Sequence, residues 1–411
     1  MIYRAAAERL NRGFRFVQVA LTLLLMAYSY ICGFELGSVG EFNASAGTVS
    51  IQSTVKRTGT YALRANPTAG SYNVEIKSRP AGGGNRDAFR NVRLYFRPDS
   101  LPTSACVISR SSLVGGDVSV QLNTAGTITL TVLVGTPITS SLAFTADAKW
   151  HKIQVTIDKT ASGTAKVYVD DVLWATANGD TSGTSSSWVC TSLLSTTCDL
   201  YWDDILFDDT ASAVLVPEGS CIMLLPASGN NANSWTDGGG GTGDLHGSID
   251  NIPPTGAATP ANGSQIKNAA GTGNLDYTAT MQTYAAGGFP IGATCNAVAS
   301  VCNDAEEVST ATKAGGIWIA SNPAQAAGGQ TFDFGNDSGG QGAFPTNWFT
   351  HLGVVTSNPV LDPVTAPTVT VRKTTASTRV VDVDFMGIYV DYVARPGGLR
   401  VQQAVTRANF F

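Results

Sequence analysis

Short segments in which apolar and polar residues alternate recur roughly every ten residues after position 30, a rhythm typical of β-sandwiches and barrels. Turn-forming residues such as Gly115-Gly116 separate them. No helical period of useful length follows residue 26, so the sequence predicts an all-β fold. The alternation predicts strands at 48–53, 61–65, 72–76, 90–96, 105–110, 118–123, 127–134, 150–157, 165–169 and 173–177.

The segment 150–175 has the clearest pattern. Its apolar residues occupy alternate positions from Ile153 to Ile157, which predicts a strand with one buried and one solvated face. A tight turn at Asp170-Asp171 connects the second and third apolar runs of this segment. We therefore predict a meander of three antiparallel strands.

This segment resembles the signature of the concanavalin A-like and laminin-G-like lectin superfamily, in which Trp-His precedes an alternating strand and Tyr-x-Asp-Asp closes the next one. The opening residues 33–37, the strand at 58–64 and the closing strand at 200–207 fit the same superfamily. The resemblance covers roughly residues 30–212 and implies a lectin-like jelly-roll sandwich. In such a jelly roll the first and last strands pair, which would place Phe34 beside the strand 200–207.

The rest of the chain divides by composition. A segment containing Pro-Glu-Gly predicts a hinge at 213–219. Residues 220–394 carry isolated apolar runs between long loops of small polar residues, and they end in strong strand patterns at 368–373 and 380–393. We predict a second, loop-rich β-sandwich at 220–394, followed by a C-terminal tail at 395–411.

Residues 1–29 are predicted to form an N-terminal extension outside the jelly roll. Residues 16–34 carry no charge and follow four arginines, which is typical of a secretion signal or membrane anchor. Alternatively, translation begins at Met26 and the preceding residues are an upstream extension with no role in the core, the interpretation that we favour. A membrane is an expected partner only if 16–34 is a translated anchor.

Charge and cysteine content narrow the function further. The chain carries a net charge of −5 with only 14% charged residues, so we expect no nucleic-acid partner. Its seven cysteines include no Cys-x-x-Cys pair for zinc. Cys190 with Cys198 and Cys295 with Cys302 could each close a short loop, but buried free thiols are the expected state.

The sequence predicts no catalytic residue and no enzyme activity. The histidines, His151, His246 and His351, lack a metal-ligand spacing, and neither a nucleophile elbow nor a phosphate-binding loop is present. Glycosidases use two carboxyl groups that flank the sugar. The acidic pairs at 203–204, 208–209 and 382–384 lack the glutamates that accompany such pairs in glycosidases of this fold.

Two kinds of non-catalytic site remain. Jelly rolls of this type can hold a structural Ca²⁺ where the first strand meets the last, which would use Glu35 with Asp203 or Asp204; solvated carboxylates at a sheet edge are the alternative. No other cofactor is expected. Trp188 and Trp235 lie in segments rich in small polar residues and are candidates for stacking on a sugar, with burial as the alternative for each.

The order of these features is similar to that of virion structural proteins of tailed bacteriophages: a lectin-like jelly roll, a Tyr-x-Asp-Asp-Ile strand, a Pro-Glu-Gly segment and a glycine-rich β domain. The resemblance implies a tail, neck or capsid-surface component of the virion. Its expected partners are other virion subunits, in a homo-oligomer, and a host-surface glycan. The alternative is a secreted or membrane-anchored bacterial lectin that binds glycans at the cell surface.

Overall fold

The structure is a computed structural model in which the chain is almost entirely β. Residues 1–27 of the predicted extension at 1–29 and the predicted tail at 395–411 lie outside the described residues, whereas Tyr28 and Ser29 belong to the strand Tyr28–Cys32. In the described part, the 3₁₀ helix His246–Ser248 is the one helical element, and the all-β prediction is confirmed. The structure describes residues 28–37, 44–45, 49–65, 71–77, 90–111, 118–182, 187–194, 198–210, 213–230, 235–237, 245–250, 266–268, 275–306, 314–327, 330–333, 349–373 and 381–394.

The strands predicted by alternation between residues 48 and 177 are all present, with ends that differ by one or two residues. Strands β10 and β14 are not predicted, because small polar residues interrupt their apolar pattern. The strands of the first half are Tyr28–Cys32 (β1), Ala44–Ser45 (β2), Val49–Gln52 (β3), Ala62–Ala65 (β4), Ser71–Lys77 (β5), Asn91–Pro98 (β6), Cys106–Arg110 (β7), Val118–Leu122 (β8), Thr127–Val132 (β9), Ile138–Ala143 (β10), His151–Ile157 (β11), Gly163–Val169 (β12), Val172–Gly179 (β13), Ser187–Leu194 (β14) and Leu200–Asp208 (β15).

These strands form two sheets that enclose one apolar core. The first sheet has the order β13-β12-β11-β6-β15-β4-β3, with β1 also beside β15, and the second has the order β10-β9-β8-β7-β14-β5-β2. Some strands that follow one another in the chain, such as β14 and β15, lie in different sheets. Phe34, Phe96 and Trp202 are among the large side chains in the core between the sheets. We call this unit the first sandwich.

The predicted meander and the predicted pairing of the first and last strands are confirmed. β11, β12 and β13 are antiparallel neighbours. Asp170 and Asp171 have φ angles of 49° and 66°, which the tight turn between two twisted strands requires. β1 pairs with β15, so that Cys32 lies opposite Ile205. The described part of the uncharged run 16–34 begins with β1, which is largely buried. No helix among the described residues is long and apolar enough to cross a membrane.

The second half of the chain forms a second sandwich. Its sheets have the orders β18-β19-β27-β21-β24, with β16 beside β27 and β25 beside β21, and β17-β20-β26-β22-β23. The predicted strands at 368–373 and 380–393 are present, whereas β21 is not predicted. The strands are Ser220–Leu224 (β16), Pro226–Asn230 (β17), Trp235–Asp237 (β18), Ile266–Asn268 (β19), Leu275–Met281 (β20), Thr294–Glu306 (β21), Ala314–Ser321 (β22), Gln330–Asp333 (β23), Phe349–Leu352 (β24), Thr356–Ser357 (β25), Thr368–Lys373 (β26) and Val381–Val393 (β27).

A third apolar cluster joins the two sandwiches. β27 contributes to two cores at once, because Ile388 and Val390 face the core of the second sandwich whereas Tyr389 faces the first sandwich. The cluster between the sandwiches contains Tyr28, Ile31, Leu36, Leu206, Val216, Cys221, Met223, Ala297, Ala299, Val301, Phe385 and Tyr389. The sheet that contains β1 and β15 therefore packs face to face with the sheet that contains β16, β21 and β27. We call this contact the junction.

The junction explains one error of the sequence prediction. The polar residues of β11 were expected on a solvated face, but Gln154 and Thr156 are buried. The side chain of Gln154 donates a hydrogen bond to the carbonyl of Val216, in the segment that connects the sandwiches. The outer face of β11 is thus covered by the rest of the chain, and alternation along one strand carries no information about that cover.

Candidate functional site

The two tryptophans predicted as sugar-stacking residues lie in different sandwiches. Trp235 begins β18 and is completely buried in the second core, where its ring centroid lies 6.3 Å from that of Tyr277. It presents no face to a ligand in solvent, so of the two states considered from the sequence, burial is the one observed for Trp235. Trp188 lies in β14, opposite Ile76 of β5, and not in a loop.

The three carboxylates predicted as calcium ligands meet around the loop 57–61. Both carboxylate oxygens of Glu35 accept a hydrogen bond from the N–H of Thr60, at 2.8 and 3.0 Å, and Asp203 accepts one from the N–H of Arg57 at 2.8 Å. Between them, Gly59 has a φ of 56°, and a Cβ there would collide with the Glu35 carboxylate. The loop can enclose these carboxylates because it has a glycine at the point of closest approach.

Asp204 contacts the second sandwich directly. Its carboxylate forms a salt bridge with Arg57 at 2.6 Å, and it accepts hydrogen bonds from the Thr58 hydroxyl and from the N–H of Cys221, both at 2.6 Å. Asp204 has a φ of 49°, at the place where β15 changes register against β6. This irregularity allows two consecutive aspartates, Asp203 and Asp204, to be buried together in one strand.

A second ion pair crosses the junction. Arg93 of β6 and Asp391 of β27 are both fully buried, and they pair through both guanidinium Nη atoms, with a distance of 3.1 Å between Nη1 and Oδ1. Arg93 also donates to the carbonyl of Asp204 at 3.2 Å, and Asn296 donates to Asp391 at 2.7 Å. A planar guanidinium group can donate two hydrogen bonds to one carboxylate. In this pair the Asp391 carboxylate balances the charge of Arg93 in a region from which water is excluded.

The segment predicted as a hinge passes directly over these charges, and side chains from both sandwiches bind it. The carbonyl of Pro217 accepts a hydrogen bond from Arg93 at 2.9 Å, that of Glu218 from Asn296 at 3.0 Å, and that of Gly219 from Arg57 at 2.8 Å. A Cβ at Gly219 would collide with both Arg93 and Asp391. The connection is therefore an integral part of the junction.

We call Glu35, Arg57, Arg93, Asp203, Asp204 and Asp391 the junction cluster. Burial, together with the neighbouring Asp204 and Glu35 carboxylates, raises the pKa of Asp203 well above its ordinary value. Burial also raises the pKa of Asp391, although Arg93 opposes this. Burial acts against the charge of Arg93, but the Asp391 carboxylate raises its pKa overall.

The described residues contain no group of three histidine, cysteine or acidic side chains arranged to hold a metal ion. The geometry gives the reason for Glu35, Asp203 and Asp204. Their oxygens accept hydrogen bonds from N–H and O–H groups of the chain itself, and Asp204 pairs with Arg57. Calcium requires such oxygens as direct ligands. The predicted calcium site is therefore occupied by the protein's own donors.

Three of the remaining candidate residues for chemistry, His151, Asp208 and Asp384, lie on different strands. His151 lies between two aspartates, with Nδ1 2.7 Å from Asp170 and Nε2 3.4 Å from Asp147. Asp208 and Asp384 are fully buried in β15 and β27. Cys198, Cys295 and Cys302 are buried and form no disulfide, so neither of the two short-loop disulfides considered from the sequence is present, as expected.

Sequence reasoning missed Arg57, Arg93, Asn296 and Asp391. A signal for two of them is present, because Arg93 interrupts an otherwise apolar strand (Val-Arg-Leu-Tyr-Phe) and Asp391 interrupts the apolar end of β27. A charge at such a position indicates a buried partner. Only the structure identifies that partner, since the two residues are 298 positions apart.

Comparisons with known proteins do not assign the chain to a family. No family model and no curated protein sequence matches it. Among solved structures, an endo-β-1,4-glucuronan lyase from the fungus Trichoderma reesei is 14% identical, with a TM-score of 0.34, over 45% of this chain and 98% of the lyase. A carbohydrate esterase from the Shiga toxin-encoding bacteriophage phi24B is 14% identical, with a TM-score of 0.33, over 45% of this chain and 99% of the esterase.

A tandem of two CBM22 domains from Paenibacillus barcinonensis is 13% identical, with a TM-score of 0.25, over 89% of this chain and 98% of the tandem. At these identities and TM-scores the similarities carry no inference about activity or ligand. The observed sheets therefore define the class. The chain is an all-β protein of two β-sandwiches that share a buried, charged junction.

Proposed function

We propose that this protein is a structural subunit of a tailed-bacteriophage virion, built on a concanavalin A-like or laminin-G-like jelly roll, and that it acts through contacts with other subunits. The observation that carries the proposal is an uncharged, apolar edge on the first sandwich. β10 and β13, the end strands of the two sheets of this sandwich, contain no charged residue. Six large aliphatic side chains are exposed on or next to these strands: Leu133, Val134, Ile138, Leu142, Val172 and Leu173.

Exposed strand edges normally carry charged residues or proline that prevent association with another chain. This edge carries neither within β10 or β13, and exposed aliphatic clusters of this kind mark contact surfaces. The residues next to the edge are well supported from inside, because Trp174 of β13 packs against Phe144 at a ring-centroid distance of 4.8 Å. We call β10, β13 and the six aliphatic residues the edge surface.

A subunit of a particle must also transmit force without internal rearrangement. The junction supports this role, since a shared apolar core and the Arg93–Asp391 pair connect the sandwiches. The alternative, a glycan-binding lectin, has less support because Trp235, one of its two candidate sugar-stacking residues, is buried in the core.

The proposal is tested by asking whether the chain enters particles through the edge surface. We expect the protein to co-sediment with purified virions, and the Leu142→Asp/Leu173→Asp variant to remain folded but to be missing from particles. Val360→Asp is the matched control, because Val360 is 94% exposed but lies in the second sandwich, and this variant should be incorporated normally.

Two outcomes would overturn the proposal. One is a protein that is absent from purified virions but binds a defined sugar on a glycan array, which would favour the lectin. The other is normal incorporation of the edge variant together with loss of incorporation for Val360→Asp, which would move the contact to the second sandwich.

A further inference from the structure

We propose that the junction cluster makes the contact between the two sandwiches sensitive to protons: a proton held by its buried carboxyl groups stabilises the junction, and loss of that proton at higher pH weakens it. The inference is independent of the virion role, because it depends only on charges inside the chain.

The charge balance of the cluster is the first argument. The cluster has four carboxyl groups, those of Glu35, Asp203, Asp204 and Asp391, and two guanidinium groups, those of Arg57 and Arg93, which pair with Asp204 and Asp391. All four acidic residues and Arg93 are buried. With every group ionised, the cluster would hold two more negative than positive charges in a region from which water is excluded. Such an excess is costly, and uptake of a proton reduces it.

The contacts indicate which carboxyl group holds the proton. Asp204 is paired with Arg57, and Asp391 is paired with Arg93. Asp203 has no cationic side chain as a partner: its hydrogen bonds come from the N–H groups of Arg57 at 2.8 Å, Thr58 at 3.3 Å and Asp204 at 2.8 Å. Its own neighbour Asp204 and nearby Glu35 add negative potential. Asp203 is therefore the carboxyl group of the cluster that we expect to hold the proton as pH rises.

Two thiols and three phenol groups that face the cluster keep their protons over the same pH range. Burial is the largest factor that raises the pKa of the Cys221 and Cys295 thiols and of the Tyr28 and Tyr95 hydroxyls, and it raises that of Tyr392 to about 12. The remaining groups around the cluster are Cys32 and Tyr389, which belong to the same buried layer, Asp208 at the end of β15, and Glu218 in the connecting segment.

The sign of the effect follows from linkage. A carboxyl group whose pKa is higher in the folded than in the unfolded chain binds more protons when folded. The contribution of this proton to the stability of the folded chain is therefore fully present below the ordinary aspartate pKa. It is lost as pH rises toward the raised pKa of Asp203. The loss is at most about tenfold in the unfolding equilibrium constant per pH unit for each such group.

The location of Asp203 and Asp204 directs this effect to the junction. Asp204 accepts the N–H of Cys221 in β16, and Arg57, which pairs with Asp204, also holds the carbonyl of Gly219. When Asp203 loses its proton, its negative charge repels that of Asp204. This repulsion weakens the contacts of Asp204 with the N–H of Cys221 and with Arg57. The contacts that lose strength therefore include those that Asp204 and Arg57 make with β16 and the connecting segment at the junction.

The test is denaturant unfolding of the full chain between pH 5 and pH 9, with Asp203→Asn as the variant. Asparagine matches the size and neutrality of a protonated aspartate. We expect the stability of the wild-type protein to fall as pH rises, and the variant to have a shallower pH slope and to exceed the wild type in stability at pH 9. Asp158→Asn, at an exposed position, is the control and should keep the wild-type slope.

An Asp203→Asn variant that keeps the wild-type slope would overturn the proposal. Should the variant fail to fold, hydrogen exchange of the wild-type protein decides. After correction for intrinsic exchange rates, protection of 213–224 should fall with rising pH relative to protection of β8 and β9. Equal changes in both regions would also overturn the proposal.

Discussion

Arg93 and Asp391 lie 298 positions apart in the chain and form a fully buried ion pair between the two sandwiches. Each residue belongs to a central strand of its own sheet, so the pair connects the middle of one sandwich to the middle of the other. The Pro217 carbonyl accepts a hydrogen bond from Arg93, and the Glu218 carbonyl accepts one from Asn296. The Arg93–Asp391 pair and its neighbour Asn296 are thus hydrogen-bonded to the segment that connects the two sandwiches.

Removing one partner of this pair should be strongly destabilising. Asp391→Ala leaves the Arg93 charge buried without its counter-ion, and we expect a loss of about 3–5 kcal/mol in the free energy of unfolding. Urea denaturation measures this. The double variant Arg93→Met/Asp391→Leu removes both charges and should lose less than the single variant. A loss below about 1 kcal/mol for Asp391→Ala would show that the pair is not buried.

Gly219 should tolerate no side chain. Gly219→Ala places a methyl group against Arg93 and Asp391, and overpacking of this kind costs about 1–3 kcal/mol. Gly247→Ala is the matched control, since a Cβ at that position has no atom within 4 Å. Thermal unfolding should show a lower midpoint for Gly219→Ala alone. Equal midpoints for the two variants would contradict the observed path of the connecting segment.

The buried cysteines should resist alkylation in the native protein. Burial raises the pKa of the Cys106, Cys221 and Cys295 thiols, which suppresses the reactive thiolate. We expect peptides that contain these residues to stay unlabelled by iodoacetamide at pH 8 and to be labelled after denaturation, as read by mass spectrometry. Rapid native labelling of Cys221 would mean that the junction opens readily.

The turn between β12 and β13 offers a stabilising substitution. Asp171 has a φ of 66°, which glycine adopts without strain, and Asp171→Gly should therefore stabilise the protein by a few tenths to about 1 kcal/mol. Its salt bridge with Lys152 joins an exposed carboxylate to a largely buried ammonium group, and the loss of this contact offsets part of the gain. Asp170→Gly should destabilise, because Asp170 accepts the N–H of Lys152 at 2.9 Å. Chemical denaturation of both variants tests the opposite signs.

The sequence by itself determined the local structure. Alternation predicted β6 to β9 and β11 to β13, and the Asp170-Asp171 turn, because strand formation and tight turns depend on residues close together in the chain. The resemblance of the first half also predicted that β1 and β15 pair, which the structure confirms.

Only the tertiary structure decided what covers each sheet. Period-two alternation reports one buried face, whereas β15 is buried along its whole length and β27 contributes to two cores. For this reason Gln154 is buried, Trp235 lies in a core, and Glu35, Asp203 and Asp204 bind the chain's own donors. The physical cause is that the partners of these residues lie on distant segments, such as β6 and β27, whose contact depends on how whole sheets pack.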